Sequence, residues 1–126
     1  IEKGAEVMQK INIKLEVVKV LESATELADF STDYPREMST FPYAVYRTVA
    51  TPHYVDAHRR EMQTRWTVLI EIYGTRSVSS IATSVYDGMR GIGFRVIQRD
   101  SNMADLKRIV LECNAIVDNK TGIVYL

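Results

Sequence analysis

The sequence predicts an α+β domain, with a mainly antiparallel β-sheet covered by two helices and the element order α-β-β-β-α-β-β-β. Three observations predict it. Residues 4–24 and about 77–91 repeat apolar side chains at three- and four-residue spacing, the period of a helix lying on a core. Residues 62–73 and 106–118 alternate apolar and polar positions instead, the period of a strand. Asp118, Asn119, Lys120, Thr121 and Gly122 supply turn chemistry that folds the last strand back as a hairpin, and hairpins join antiparallel neighbours.

Taken in order, the first helix carries Met8, Ile11, Leu15, Val18 and Leu21 as its expected buried stripe, widened by Ile13, Val17 and Val20. A short strand is expected near 26–30, followed by a surface loop over 31–40 that holds Asp33, Pro35 and several hydroxyl residues. Pro42 stands just ahead of a strand beginning at Tyr43, where its missing donor costs nothing. Pro52 is expected to end that strand near Val49, leaving residues 50–61 as a charged loop. Met62, Thr64, Trp66, Val68, Ile70 and Ile72 then form the core side of the clearest strand, with Gln63, Arg65, Thr67, Leu69, Glu71 and Tyr73 on a largely wet side. Ser77 or Ser79 is expected to cap the second helix, and Gly91 or Gly93 to end it. Strands at 94–99 and 106–118 follow, the second with Ile109, Leu111, Cys113, Ala115 and Val117 inward, and residues 123–126 close the sheet.

The 126 residues, 46% of them apolar, are enough for one core, and residues 1–126 read as a single domain without repeat, linker or low-complexity tract. Lysine plus arginine and aspartate plus glutamate number 16 each, so no global field draws the chain onto nucleic acid or an anionic membrane. Near-zero net charge also tolerates self-association. The one cysteine, Cys113, makes neither an internal disulfide nor a multi-cysteine zinc site. No apolar run approaches the roughly 20 residues of a membrane span, and the acidic, lysine-bearing start is unlike a secretion signal. A cytoplasmic site of synthesis is therefore expected.

Four groupings invite a chemical reading. His53 and His58, with Asp56 and Glu61 nearby, would be metal ligands or proton shuttles, but their spacing fits no known metal motif and a polar loop gives no rigid frame. Gly88, Gly91 and Gly93 resemble a phosphate loop in composition, yet they sit at a helix end, where outward carbonyls repel anions. Glu71 and Glu112 read as exposed carboxylates on the wet side of the sheet rather than as an acid–base pair. Arg90, Arg95, Arg99, Lys107 and Arg108 form the densest basic stretch, interrupted by Asp100 and Asp105, and read as a salt-bridged sheet edge. No catalytic, cofactor-binding or metal residue is assigned.

The run Phe41-Pro42-Tyr43-Ala44-Val45-Tyr46, a charged loop, Trp66-Thr67-Val68-Leu69-Ile70-Glu71-Ile72-Tyr73, a helix ending at Gly91-Ile92-Gly93-Phe94 and a close at Gly122-Ile123-Val124-Tyr125 resemble the tail terminator, or tail completion, proteins of long-tailed bacteriophages. The resemblance spans about residues 27–126 and lies in element order and residue class. It implies a non-enzymatic virion protein, assembled in the host cytoplasm, whose ring, usually of six subunits, caps the tail tube and meets the head–tail connector. DNA would pass through the ring unread, with no cofactor and no membrane. Within that reading the loop residues Tyr54, Asp56, His58, Arg59 and Arg60 are the candidate contacts to a neighbouring subunit or to the tail tube protein. The alternatives are another neck protein of the same virion, a dimeric adaptor and a small ferredoxin-like nucleic-acid-processing enzyme.

Overall fold

A computed structural model describes residues 12–35 and 40–125. The beginning of the expected first helix, residues 36–39 of the expected loop and Leu126 lie outside them. The elements run α1 (Lys14–Ser23), β1 (Asp29–Ser31), β2 (Tyr43–Val55), β3 (Glu61–Gly74), α2 (Ser79–Gly91), β4 (Arg95–Asp100), β5 (Lys107–Asp118) and β6 (Val124–Tyr125). The fold is α+β. Its mixed sheet has the spatial order β1-β2-β3-β5-β4, and β6 pairs with β5. No helix among the described residues is long and apolar enough to cross a membrane.

Both helices cover one face of the sheet. Side chains directly opposite in an antiparallel pair share a face, so Ala44 and Tyr46 of β2, Val68, Ile70 and Ile72 of β3, and Ile109, Leu111 and Cys113 of β5 form a single apolar floor. Onto it pack Val17, Val20 and Leu21 of α1 and Ile81, Ala82, Val85 and Met89 of α2. Burying an aliphatic side chain of this size contributes about 1.5–3 kcal/mol. The Cys113 thiol sits within this floor, and burial pushes its pKa up to about 12, which makes it a poor nucleophile at neutral pH.

The buried stripe of α1 is the part of the expected one that includes Leu21 and the widening residues Ile13, Val17 and Val20. Leu15 is 64% exposed, and Ile13, Val17, Val20, Leu21 and Ala24 face the core instead. Two interleaved apolar stripes occupy this helix, and only the second meets α2. Their meeting point is Gly88, where a Cβ would lie 2.7 Å from Val20 Cγ1, so the absent side chain sets how closely the helices approach.

The end of α2 follows the expectation of a glycine stop. Gly93 has φ +101°, its N–H donates to the Arg90 carbonyl (3.0 Å), and the Phe94 N–H donates to the Met89 carbonyl (3.1 Å). That pair of bonds is the Schellman arrangement, completed by the buried Met89 and Phe94 side chains. At the other end Val78, not a serine, occupies the cap position, while the Ser77 hydroxyl accepts from the Ser79 N–H (3.4 Å).

Three further expectations are corrected. The sheet does not begin with a hairpin, because β1 runs parallel to β2, pairing Asp29–Ser31 with Tyr43–Val45. The charged loop at 50–61 shrinks to five residues, 56–60, since β2 extends to Val55 and β3 starts at Glu61. Pro52 lies inside β2 and pairs with Thr64. Beyond Val45 no described strand flanks β2 on its other side, so the missing proline donor is tolerated as on any sheet edge. The second sheet face is not uniformly wet, because Tyr43, Val45 and Tyr73 form a small buried cluster with Phe41 and Leu106 packed against it.

The Gly88 contact predicts opposite outcomes for two similar substitutions. Gly88→Ala will lower stability although alanine favours a helix interior by about 1 kcal/mol over glycine, because Val20 has to move. A Cβ at Gly91 meets nothing within 4 Å, so Gly91→Ala will be neutral or stabilising by up to about 1 kcal/mol. Urea midpoints at unchanged slope measure both.

Candidate functional site

The residues expected to make outward contacts lie at the tip of the long β2–β3 hairpin, where five consecutive β2 positions, 51–55, are exposed. Asp56 organises the turn. Its Oδ1 accepts from the N–H groups of His58 and Arg60, each at 2.9 Å, and its Oδ2 accepts from Arg60 Nε at 2.7 Å. The backbone closes the same turn, Asp56 N–H donating to the Arg60 carbonyl and Arg59 N–H to the Asp56 carbonyl, both at 3.0 Å. Arg59 adopts φ +63°, the left-handed conformation that ends such a turn. The Arg60 amide, above all, holds the Asp56 carboxyl below its usual range.

The five candidates therefore divide by role. Asp56 and Arg60 build the turn, Asp56 through both carboxylate oxygens and Arg60 through its amide, carbonyl and Nε. Tyr54, 54% exposed, together with the exposed His58 and Arg59, forms the outward surface. Behind the tip the hairpin is kinked, with register shifts between Pro52 and Tyr54 and between Tyr54 and Val55. Its base is fixed to the far end of the chain: the Asn119 side-chain amide donates to the Glu61 carbonyl (3.0 Å) and to Thr64 Oγ1 (2.8 Å). Thr64 Oγ1 donates in turn to the Glu61 carboxylate. The hairpin is thus braced on its β3 side almost up to an ordered tip.

The histidine grouping does not become a metal centre. Asp56 is committed to the turn and Glu61 to Thr64, and no cluster of three or more metal-ligating side chains occurs among the described residues. The basic stretch also separates. Arg99 pairs with Glu112 (3.4 Å), and Arg108 reaches Glu71 (3.5 Å) and Ser101 (2.7 Å).

Glu71 is the residue whose setting the sequence did not disclose. Far from being an exposed sheet carboxylate, it is 6% exposed and is held by four side chains. Tyr34 and Tyr73 donate their hydroxyls to its two oxygens, the second at 3.2 Å, while Arg47 (3.4 Å) and Arg108 (3.5 Å) supply the opposing charge. Arg47 also donates to the Tyr34 hydroxyl (3.1 Å) and lies over its ring, as Arg108 lies over Tyr73. The cluster fastens the segment after β1 across the sheet face opposite the helices. A buried carboxylate demands such partners, since burial of an unpaired charge costs several kcal/mol.

Beyond this cluster the same face is open. Arg47, Val49, Thr67, Leu69 and Glu112 line a shallow depression, and Arg65, Arg95 and Asn114 lie farther along. Val49 is 58% exposed and Ile97 43%. This is a mixed apolar and cationic surface suited to binding rather than to proton transfer.

Two predictions follow from these contacts. The hydrogen bond to Glu71 raises the Tyr34 hydroxyl from 10.0 to about 12, so the folded state holds this proton more tightly than the unfolded chain does. Its stabilisation is whole below pH 10 and is lost as pH rises through about 12. Ultraviolet titration will show a tyrosine ionisation near pH 12 that Tyr34→Phe removes. At the hairpin tip, Asp56→Ala will speed amide hydrogen exchange at His58 and Arg60 while leaving the core amides unchanged. Asp56→Asn, which keeps an acceptor oxygen, will have the smaller effect. In the native chain these amides lose protection as pH falls through the lowered Asp56 value.

No protein-family model matches the sequence, and a search of curated proteins found no match.

Proposed function

We propose that the chain is a structural subunit that works by assembly without catalysis, as the ring-forming terminator of a phage tail. In this reading copies close into a ring, usually of six, on the end of the tail tube. The ring stops tube growth and presents a surface to the head–tail connector, with DNA passing through its centre. The observation that carries the reading is the braced β2–β3 hairpin, whose ordered tip points Tyr54, His58 and Arg59 outward.

A hairpin whose tip is already ordered loses little freedom when it meets a partner, and preorganised contacts bind more tightly for that reason. The open sheet face adds a second, chemically different surface, as head-to-tail contact between identical subunits requires. The resemblance in element order and residue class supplies the particular partners, the tail tube protein and the connector. The small-enzyme reading draws on the Glu71 cluster. There, however, both carboxylate oxygens are already engaged by tyrosine hydroxyls and arginines, which is the arrangement of a fastening rather than of a general base.

Tails assembled without the protein will be abnormally long in electron micrographs, and adding the protein will restore their length. Tyr54→Ala with Arg59→Glu will abolish that restoration while the thermal midpoint stays within a few degrees, because both side chains are exposed. Tails of normal length without the protein would overturn the reading.

A further inference from the structure

The two margins of the sheet carry opposite charge. Among the described residues β4 pairs only with β5 and β1 only with β2, so each presents one unpaired strand edge. Residues 88–99 carry Arg90, Arg95 and Arg99, while the exposed Asp100 ends β4. Residues 20–35, which include β1, carry Glu22, Glu26, Asp29 and Asp33 and no lysine or arginine. All these side chains are exposed. The β4 margin is therefore net basic and the β1 margin net acidic.

We propose that successive copies join head to tail through these margins, the arginine-bearing β4 edge of one copy docking along the carboxylate-bearing β1 edge of the next. The proposal rests on the ring reading above and names the surfaces that would close the ring. Strand direction agrees with it. β4 runs antiparallel to β5, β5 to β3 and β3 to β2, whereas β1 runs parallel to β2. Repeating the subunit about an axis along the strands therefore brings β4 antiparallel to the next β1, the pairing that is the more stable per residue.

Facial placement agrees as well. Phe30 contacts the helix-covered core, so Asp29 and Ser31 belong to the opposite face, where Arg95, Ile97 and Arg99 also lie. Pairing of two β1 edges is disfavoured, because it would bring carboxylates together with no cation between them. The arginines and exposed Ile97 invite comparison with a nucleic-acid surface. Ile97 and Gln98 beside the two arginines offer no ring on which bases stack, and the exposed ring of this face, Tyr34, is tied to Glu71 with Arg47 over it, which favours a protein partner.

Paired charge reversals test the contact. Arg95→Glu with Arg99→Glu leaves two acidic margins, and Glu26→Lys with Asp29→Lys leaves two basic ones. By sedimentation at low salt the native chain will associate, each variant alone will associate at least tenfold more weakly, and an equal mixture of the two will regain the native mass. Circular dichroism melting checks that both variants fold. Variants that each assemble as the native chain does would overturn the edge contact and leave the ring reading intact. A native chain that stays monomeric under these conditions, or a mixture that fails to recover, would also overturn the contact; the ring reading is judged separately by tail length. Binding of a single-stranded oligonucleotide that is lost in Arg95→Glu with Arg99→Glu, with masses unchanged, would overturn it in favour of nucleic acid.

Discussion

Strand β3 is paired along both sides, with β2 from Tyr43 to Val55 and with β5 from Lys107 to Asp118, so the direction of its side chains is decided once for the whole sheet. With Val68, Ile70 and Ile72 toward the helices, the directly opposed residues of β2 and β5 must face them too. A slip of one residue would put Leu69 and Glu71 under α1 and α2 and turn the isoleucines outward. The helices then need only match a floor that already exists. Gly88 fixes their separation and the Gly93 stop aims the chain into β4.

The same register produces the electrostatics of the opposite face. Because Glu71 stands between Val45 and Val110 while Tyr73 stands beside Tyr43 and Arg108, a carboxylate, two phenols and two guanidinium groups converge without any of them being sequence neighbours. Turn chemistry at the sheet's extremities follows a shared local rule. Asp56 receives the amides of His58 and Arg60, and Asp118 receives those of Lys120 and Thr121, which lowers both carboxyl pKa values. Aspartate at the first position of each turn closes it by accepting the amides that follow.

Much of this was legible in the sequence, and the failures have identifiable causes. Strand periodicity located the core side of β3 and β5, and a glycine stop was readable at Gly93 because only the left-handed region suits that position. The hairpin was underestimated because proline and a run of polar residues look like a loop, although on an edge strand exposed to water both are tolerated. Helix α1 carried two apolar stripes, and only the location of α2 distinguishes them. Glu71 was unreadable for a deeper reason: its partners come from four segments, and nothing in local pattern reports cross-strand register. Of the five candidate residues, sequence grouped them in one segment but did not divide Asp56 and Arg60, which make the turn, from Tyr54, His58 and Arg59, which are exposed.

Pro52 has a further consequence. The side of β2 beyond Val45 is bare, and a bare, solvent-exposed strand is ordinarily an invitation to adventitious sheet growth. Here an incoming strand would meet a residue with no amide hydrogen, followed at once by the kink around His53. The hairpin is thereby blunted against stray backbone pairing while the side chains of residues 51–55 stay open to solvent.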